Sequence, residues 1–174
     1  MKKYVSLMIA LFTAFVFTST ASATVKVGGY PLNEKVVNPS GQVQLSTRNF
    51  EMHVVKLDKS ADKIEKKWFT DANIPVSPLV PTSISLKGTV VDQKECFKAQ
   101  NDLENHFKDK YKMTFNGWMD NPAPELVRYN RGRFTQDGYV YEVRLMCFHE
   151  PSPYGGMETN LYYEIKTMAK IAQR

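Results

Sequence analysis

Between residues 92 and 111 the apolar positions recur every three or four residues. Cys96, Ala99, Leu103, Phe107 and Tyr111 therefore fall on one face of a helix whose other faces are polar. Asp92 stands where an N-cap is wanted, and Glu95 three positions later completes a capping-box pattern. Residues 139–149 alternate instead, with Tyr139, Tyr141, Val143, Leu145 and Cys147 on one side. Residues 126–134 pair with this run as a hairpin, and Gln136, Asp137 and Gly138 supply the turn.

Weaker patterns fill in the rest. Residues 24–27 form a short extended piece, followed by a Gly28-Gly29 break and a loop ending at residues 38–41. Strand pattern returns over 42–57, with a polar break at 46–49. Phe50, Met52 and Val54 then oppose His53, Val55 and Leu57, and apolar residues on both sides predict an interior strand. Ser60 is positioned to cap a short helix over 61–69, with Ala61, Ile64 and Trp68 inward and Lys63, Lys66 and Lys67 in solvent. Pro75, Pro78 and Pro81 argue for an extended connector over 73–81. Further strands are expected over 83–91, interrupted at Gly88, over 113–115 and over 160–165, with 166–174 continuing the last strand or fraying as helix. The predicted class is α+β: a mainly antiparallel sheet with one main amphipathic helix on one face and a helix-to-strand disulfide.

The N-terminus changes the compartment. Lys2 and Lys3, an apolar run over 5–17 and the sequence Ala21-Ser22-Ala23 have the three parts of a cleavable secretory signal, with cleavage expected after Ala23. The apolar run is shorter than the ~20 residues that span a bilayer. No membrane span is expected after cleavage, and a periplasmic or secreted location is. Residues 24–174 then form a single domain, and loss of the two lysines lowers the net charge from +5 to +3. So mild a charge gives no argument for nucleic acid as a partner. In an oxidising compartment Cys96 and Cys147, 51 positions apart, are expected to pair. Closing a loop of that size is worth about 4 kcal/mol on the chain-entropy account.

Chemistry is sparse by comparison. His53, His106 and His149 show no metal-ligand spacing, and no activated nucleophile or phosphate-binding glycine pattern is present. No metal or cofactor is expected. Arg128, Arg131 and Arg133, with Arg144 on the partner strand and Tyr129 and Phe134 among them, are the densest cationic group. Trp118, Met119, Tyr154 and Met157 lie on two loops stiffened by proline and broken by glycine, a composition that suits anchors of a binding surface. These residues lead to an expectation of an exported, non-catalytic protein-binding module of the inhibitor, immunity or envelope-accessory kind. Its candidate contacts are Trp118, Met119, Arg128, Arg131, Arg133 and Tyr154. Two alternatives stand beside it: an envelope hydrolase using His149 and Glu150, and a binder of anionic envelope polymers through the arginine hairpin.

Overall fold

The computed structural model describes residues 24–36, 42–45, 51–77 and 80–172. The expected signal, the 38–41 loop and the polar break at 46–49 lie outside the described residues. The strands are β1 (Lys26–Val27), β2 (Tyr30–Pro31), β3 (Gln42–Leu45), β4 (Glu51–Lys56), β5 (Asp71–Pro75), β6 (Ser83–Val90), β7 (Thr114–Phe115), β8 (Met119–Asp120), β9 (Leu126–Gln136), β10 (Tyr139–Pro151) and β11 (Met157–Lys170). Helix α1 (Lys63–Trp68) lies between β4 and β5, and α2 (Gln93–Tyr111) between β6 and β7. β1 and β2 form a small hairpin, and the others join one antiparallel sheet in the order β3-β4-β5-β6-β11-β10-β9-β7, with β8 also on the outer edge of β9. This is the α+β arrangement expected, with one main helix on one face.

Helix α2 begins where its residues require. The Asp92 carboxylate accepts from the Glu95 N–H at 2.7 Å, satisfying one of the donors left open by a helix start. Glu95 reaches back past the cap to the Val91 N–H at 2.8 Å. Lys112 at the other end takes a left-handed conformation, φ 51°, which closes the helix. The inward face buries Cys96, Ala99, Leu103 and Phe107 against Tyr141, Val143, Leu145 and Cys147 of β10 and Leu161, Tyr163 and Ile165 of β11. Each such leucine or phenylalanine stabilises by about 1.5–3 kcal/mol relative to exposure. Cys96 and Cys147 are bonded, their Cα atoms 6.1 Å apart.

A stack of rings fills the space below the C-terminal end of α2. Tyr111 lies 4.1 Å from Phe134 and Phe134 5.0 Å from Tyr141, centroid to centroid, while Phe107 meets Tyr163 at 4.9 Å. Polar groups also enter the helix–sheet seam. Gln100 donates to the Arg128 carbonyl at 3.2 Å, and Asn130 to Glu104 at 3.2 Å, although Gln100, Glu104 and Asn130 are buried. These bonds fix α2 along β9, since any slip would leave buried polar atoms unpaired.

Several expectations need correction. The proline-rich stretch is not only a connector: its first part belongs to β5, where Ala72 and Ile74 are buried and Pro75 ends the strand. Ser60 does not cap α1, because its hydroxyl is engaged with Asp58 at 2.7 Å. The N-cap is Asp62, and Glu65 accepts from its N–H at 3.0 Å. β11 runs on to Lys170, the strand continuation that was one of the two expectations for that end, while β6 is continuous through Gly88. Glycine is required there because a Cβ would collide with the carbonyl oxygen of Trp68 and approach Phe69 Cδ1 to 3.2 Å. The hairpin turn has the expected chemistry, Asp137 and Gly138 both adopting positive φ at 53° and 74°.

The close seat of α1 on β6 gives a direct test. Gly88→Ala is expected to destabilise by about 1–3 kcal/mol through overpacking, read as a lower denaturant midpoint with unchanged slope. A midpoint equal to that of the parent protein would show that α1 does not sit on this strand.

Candidate functional site

Strand alternation divides the arginines. Arg128 faces α2, whereas Arg131, Arg133 and Arg144 face away from it. The Arg128 guanidinium is sandwiched between rings, 3.9 Å from Trp118 and 4.8 Å from Phe97, and pairs with Asp120 at 3.5 Å. Trp118 is thereby half-buried against the core. Arg133 and Arg144 both hold the buried Glu142, at 3.3 and 2.7 Å, and Arg144 also reaches Glu164 at 3.4 Å. Burial works to raise the Glu142 carboxyl, but Arg144 and then Arg133 outweigh it and hold the group below its ordinary value. Only Arg131 of this group is exposed and outside the ion pairs of the described residues.

His149 and Glu150 also separate, since consecutive strand residues point to opposite faces. His149 lies 3.4 Å from the Thr159 hydroxyl. Glu150 accepts from Lys87, Asn160 and Tyr162 at 2.9–3.0 Å on the face away from α2. Burial, opposed by Lys87, pushes the Tyr162 hydroxyl up to about 12. Such a network braces the sheet and leaves the two side chains without a shared substrate position. His106 approaches Asp62 at 3.3 Å. Among the described residues no three histidine, cysteine, aspartate or glutamate side chains converge as metal ligands.

A cleft of about 620 Å³ opens between the β1–β2 hairpin, the start of α1 and the end of α2. Asp62, Glu65, Lys110 and Tyr111 line it. Sequence reasoning passed over this cluster because its members are 49 residues apart and look like solvated helix charges. Glu65 is 2% exposed, and both carboxylate oxygens accept backbone N–H groups, Gly28 at 3.1 Å and Asp62 at 3.0 Å. Burial raises this carboxyl despite those bonds. The geometry is that of a clasp joining hairpin to helix, each carboxylate oxygen being engaged by a backbone N–H. Asp62 is the opposite case: the His106 bond, with Lys110 at 2.6 Å working against burial, holds it at about 2.

Four of the exposed large apolar residues gather elsewhere, while Val80, Met168 and Ile171 lie toward the other end of the sheet. Val91 is 89% exposed, Tyr154 96%, Met157 53% and Met119 47%. Their segments meet at one end of the sheet. Val90 pairs with Thr159, Glu150 with Glu158 and Asp120 with Arg128, and His149 N–H donates to the Glu125 carbonyl at 2.8 Å. The turn carrying Tyr154 is braced internally by Ser152 N–H to Gly156 at 3.0 Å, Gly155 N–H to Ser152 at 3.0 Å, and Tyr154 N–H to the Ser152 hydroxyl at 3.3 Å. The 116–125 loop is braced by Asn121 N–H to Val127 at 2.7 Å. The result is a rim of exposed anchors on ordered backbone, at the N-terminal end of α2. Of the residues expected at a contact surface, Met119 and Tyr154 are on it, while Trp118 and Arg128 are packed beneath it.

No protein-family model, curated protein or solved structure matches the chain. No helix among the described residues is long and apolar enough to cross a membrane.

The Asp62 cluster makes a prediction with a definite sign. Its folded value lies below its ordinary 3.8, so its contribution is present above pH 4 and fades as pH falls toward 2. Asp62→Asn keeps the cap but removes the charge. It is expected to lower stability at pH 7 by about 1 kcal/mol, the Asp62 side chain being partly solvated, with the difference from the parent disappearing near pH 2. A difference that persists unchanged at pH 2 would contradict the assignment.

Proposed function

We propose that the protein is an exported, non-catalytic module that binds another protein through the rim formed by Val91, Met119, Tyr154 and Met157. The observation that carries this reading is the exposure of those side chains on backbone already ordered by its own hydrogen bonds. Large apolar groups facing water are costly to keep together unless a partner covers them. Anchors held in place lose little conformational entropy on docking, so even a small rim of this kind can supply a hot spot. The paired cysteines suit an oxidising compartment and agree with the signal-like N-terminus. Inhibitors, immunity proteins and envelope-assembly accessories all work by this kind of stoichiometric contact. Three of the four hairpin arginines are engaged in internal contacts, which favours this reading over an anionic polymer.

Tyr154 is the most exposed of the anchors. Tyr154→Ala is expected to abolish capture of a partner from envelope extract by the mature chain while leaving the melting temperature within about 1 °C of the parent, as for other exposed surface sites. Undiminished capture by the variant would remove the rim from the proposal.

A further inference from the structure

The charge around the rim is unlike that of the rest of the molecule. Its three segments, residues 91–95, 116–127 and 149–160, hold six carboxylates, Asp92, Glu95, Asp120, Glu125, Glu150 and Glu158, against one lysine, Lys94. No lysine or arginine occurs between Lys112 and Arg128 or between Arg144 and Lys166. This happens in a chain whose formal charge is +5. The rest of the chain is correspondingly basic.

Part of the acidity has a local use. Asp92 and Glu95 stabilise the start of α2, Arg128 partly offsets Asp120, and Lys87 engages Glu150 at 3.0 Å and Glu158 at 3.8 Å. Glu125 is exposed and takes part in none of the ion pairs among the described residues. Asp120 keeps 70% of its side chain in water. An exposed apolar rim bordered by carboxylates is complementary to a surface that offers an apolar anchor flanked by cations.

Resting on the reading of the rim as the contact surface, we infer that the partner presents a basic face with an apolar centre, Lys or Arg side chains meeting Asp92, Asp120, Glu125 and Glu158 around Val91, Tyr154 and Met157. The expected partner is a cationic protein segment and not a second copy of this chain. Self-association, with the acidic rim meeting lysines elsewhere on a second copy, is the competing arrangement, and the experiment separates the two.

The test uses the oxidised mature chain, residues 24–174, labelled with 15N. The probe is a soluble synthetic peptide bearing several lysines around a central leucine pair, and the control carries glutamate at each lysine position. Amide shifts with the lysine peptide are expected in 91–95, 116–127 and 149–160. The triple variant Asp92→Asn, Glu125→Gln, Glu158→Gln preserves shape and the α2 cap, and should weaken binding by about tenfold or more, with a similar loss on raising salt. Equal binding of the glutamate peptide, absence of shifts at the rim, or concentration-dependent association of the unliganded chain that the triple variant abolishes would each overturn the inference. Comparison with Tyr154→Ala keeps the two proposals apart. If that variant loses the envelope partner while the triple variant retains it fully, the rim stands and the basic partner falls. If both variants capture as well as the parent, both fall.

Discussion

The bond between Cys96 and Cys147 ties the first turn of α2 to β10, within a few residues of the point where the hairpin opens into the β10–β11 turn. Its position matters as much as its strength. The apolar residues on the inward face of α2 pack mainly on β10 and β11, with Tyr111 stacked on Phe134 of β9, and the bridge holds the start of the helix in register with Ala99, Leu103 and Phe107. In the unfolded chain the same bond confines a 51-residue loop that includes all of β7, β8 and β9. Closure therefore favours the pairing of β9 with β10 as well as the docking of the helix. At the far end no covalent link is present among the described residues, and the stacked rings of Phe107, Tyr111, Phe134 and Tyr141 hold α2 down together with the bonds from His106 and Lys110 to Asp62.

That arrangement explains why the two ends of the molecule differ. Around the α2 C-terminus, charges are drawn into a cleft and consumed by structure: Glu65 joins the β1–β2 hairpin to α1, and Asp62 gathers His106 and Lys110 from α2. Around the α2 N-terminus, above the bridge, apolar side chains remain in water. If the rim binds a partner as proposed, it needs a backbone that does not reorganise on contact, which the bridge below and the short turns above would supply. Carboxylates placed there serve two purposes at once. They complement the helix dipole and give the rim a charge opposite to most of the chain.

The strong periodicities of α2, β9 and β10 made the centre of the fold readable from the residues, because a buried stripe repeated over many positions admits one solution. Short or mixed elements were less readable for physical reasons. β5 was obscured by Pro75 and its neighbours, since a proline that ends a strand looks the same in sequence as one that prevents it. The cap of α1 was misplaced because Ser60 and Asp62 both suit the role, and Asp58 decides between them by taking the Ser60 hydroxyl. For the candidate surface, parity along β9 already separates Arg128 from Arg131 and Arg133, so the even and odd positions carried the signal that the cationic group is not one patch. The absence of lysine and arginine on both sides of the hairpin was equally visible. Its meaning required the sheet register, which brings those stretches to the same end. The burial of Glu142, a carboxylate on the face away from the helix, depends on two arginines from neighbouring strand positions and has no sequence signature.

The claim on which this account rests is that the folded state depends on α2 being fastened to β10. Equilibrium denaturation of residues 24–174, with the bridge intact and after reduction under otherwise identical conditions, measures that dependence. The account predicts that reduction lowers the unfolding free energy by about 4 kcal/mol. Coincident unfolding curves for the oxidised and reduced chains would contradict it.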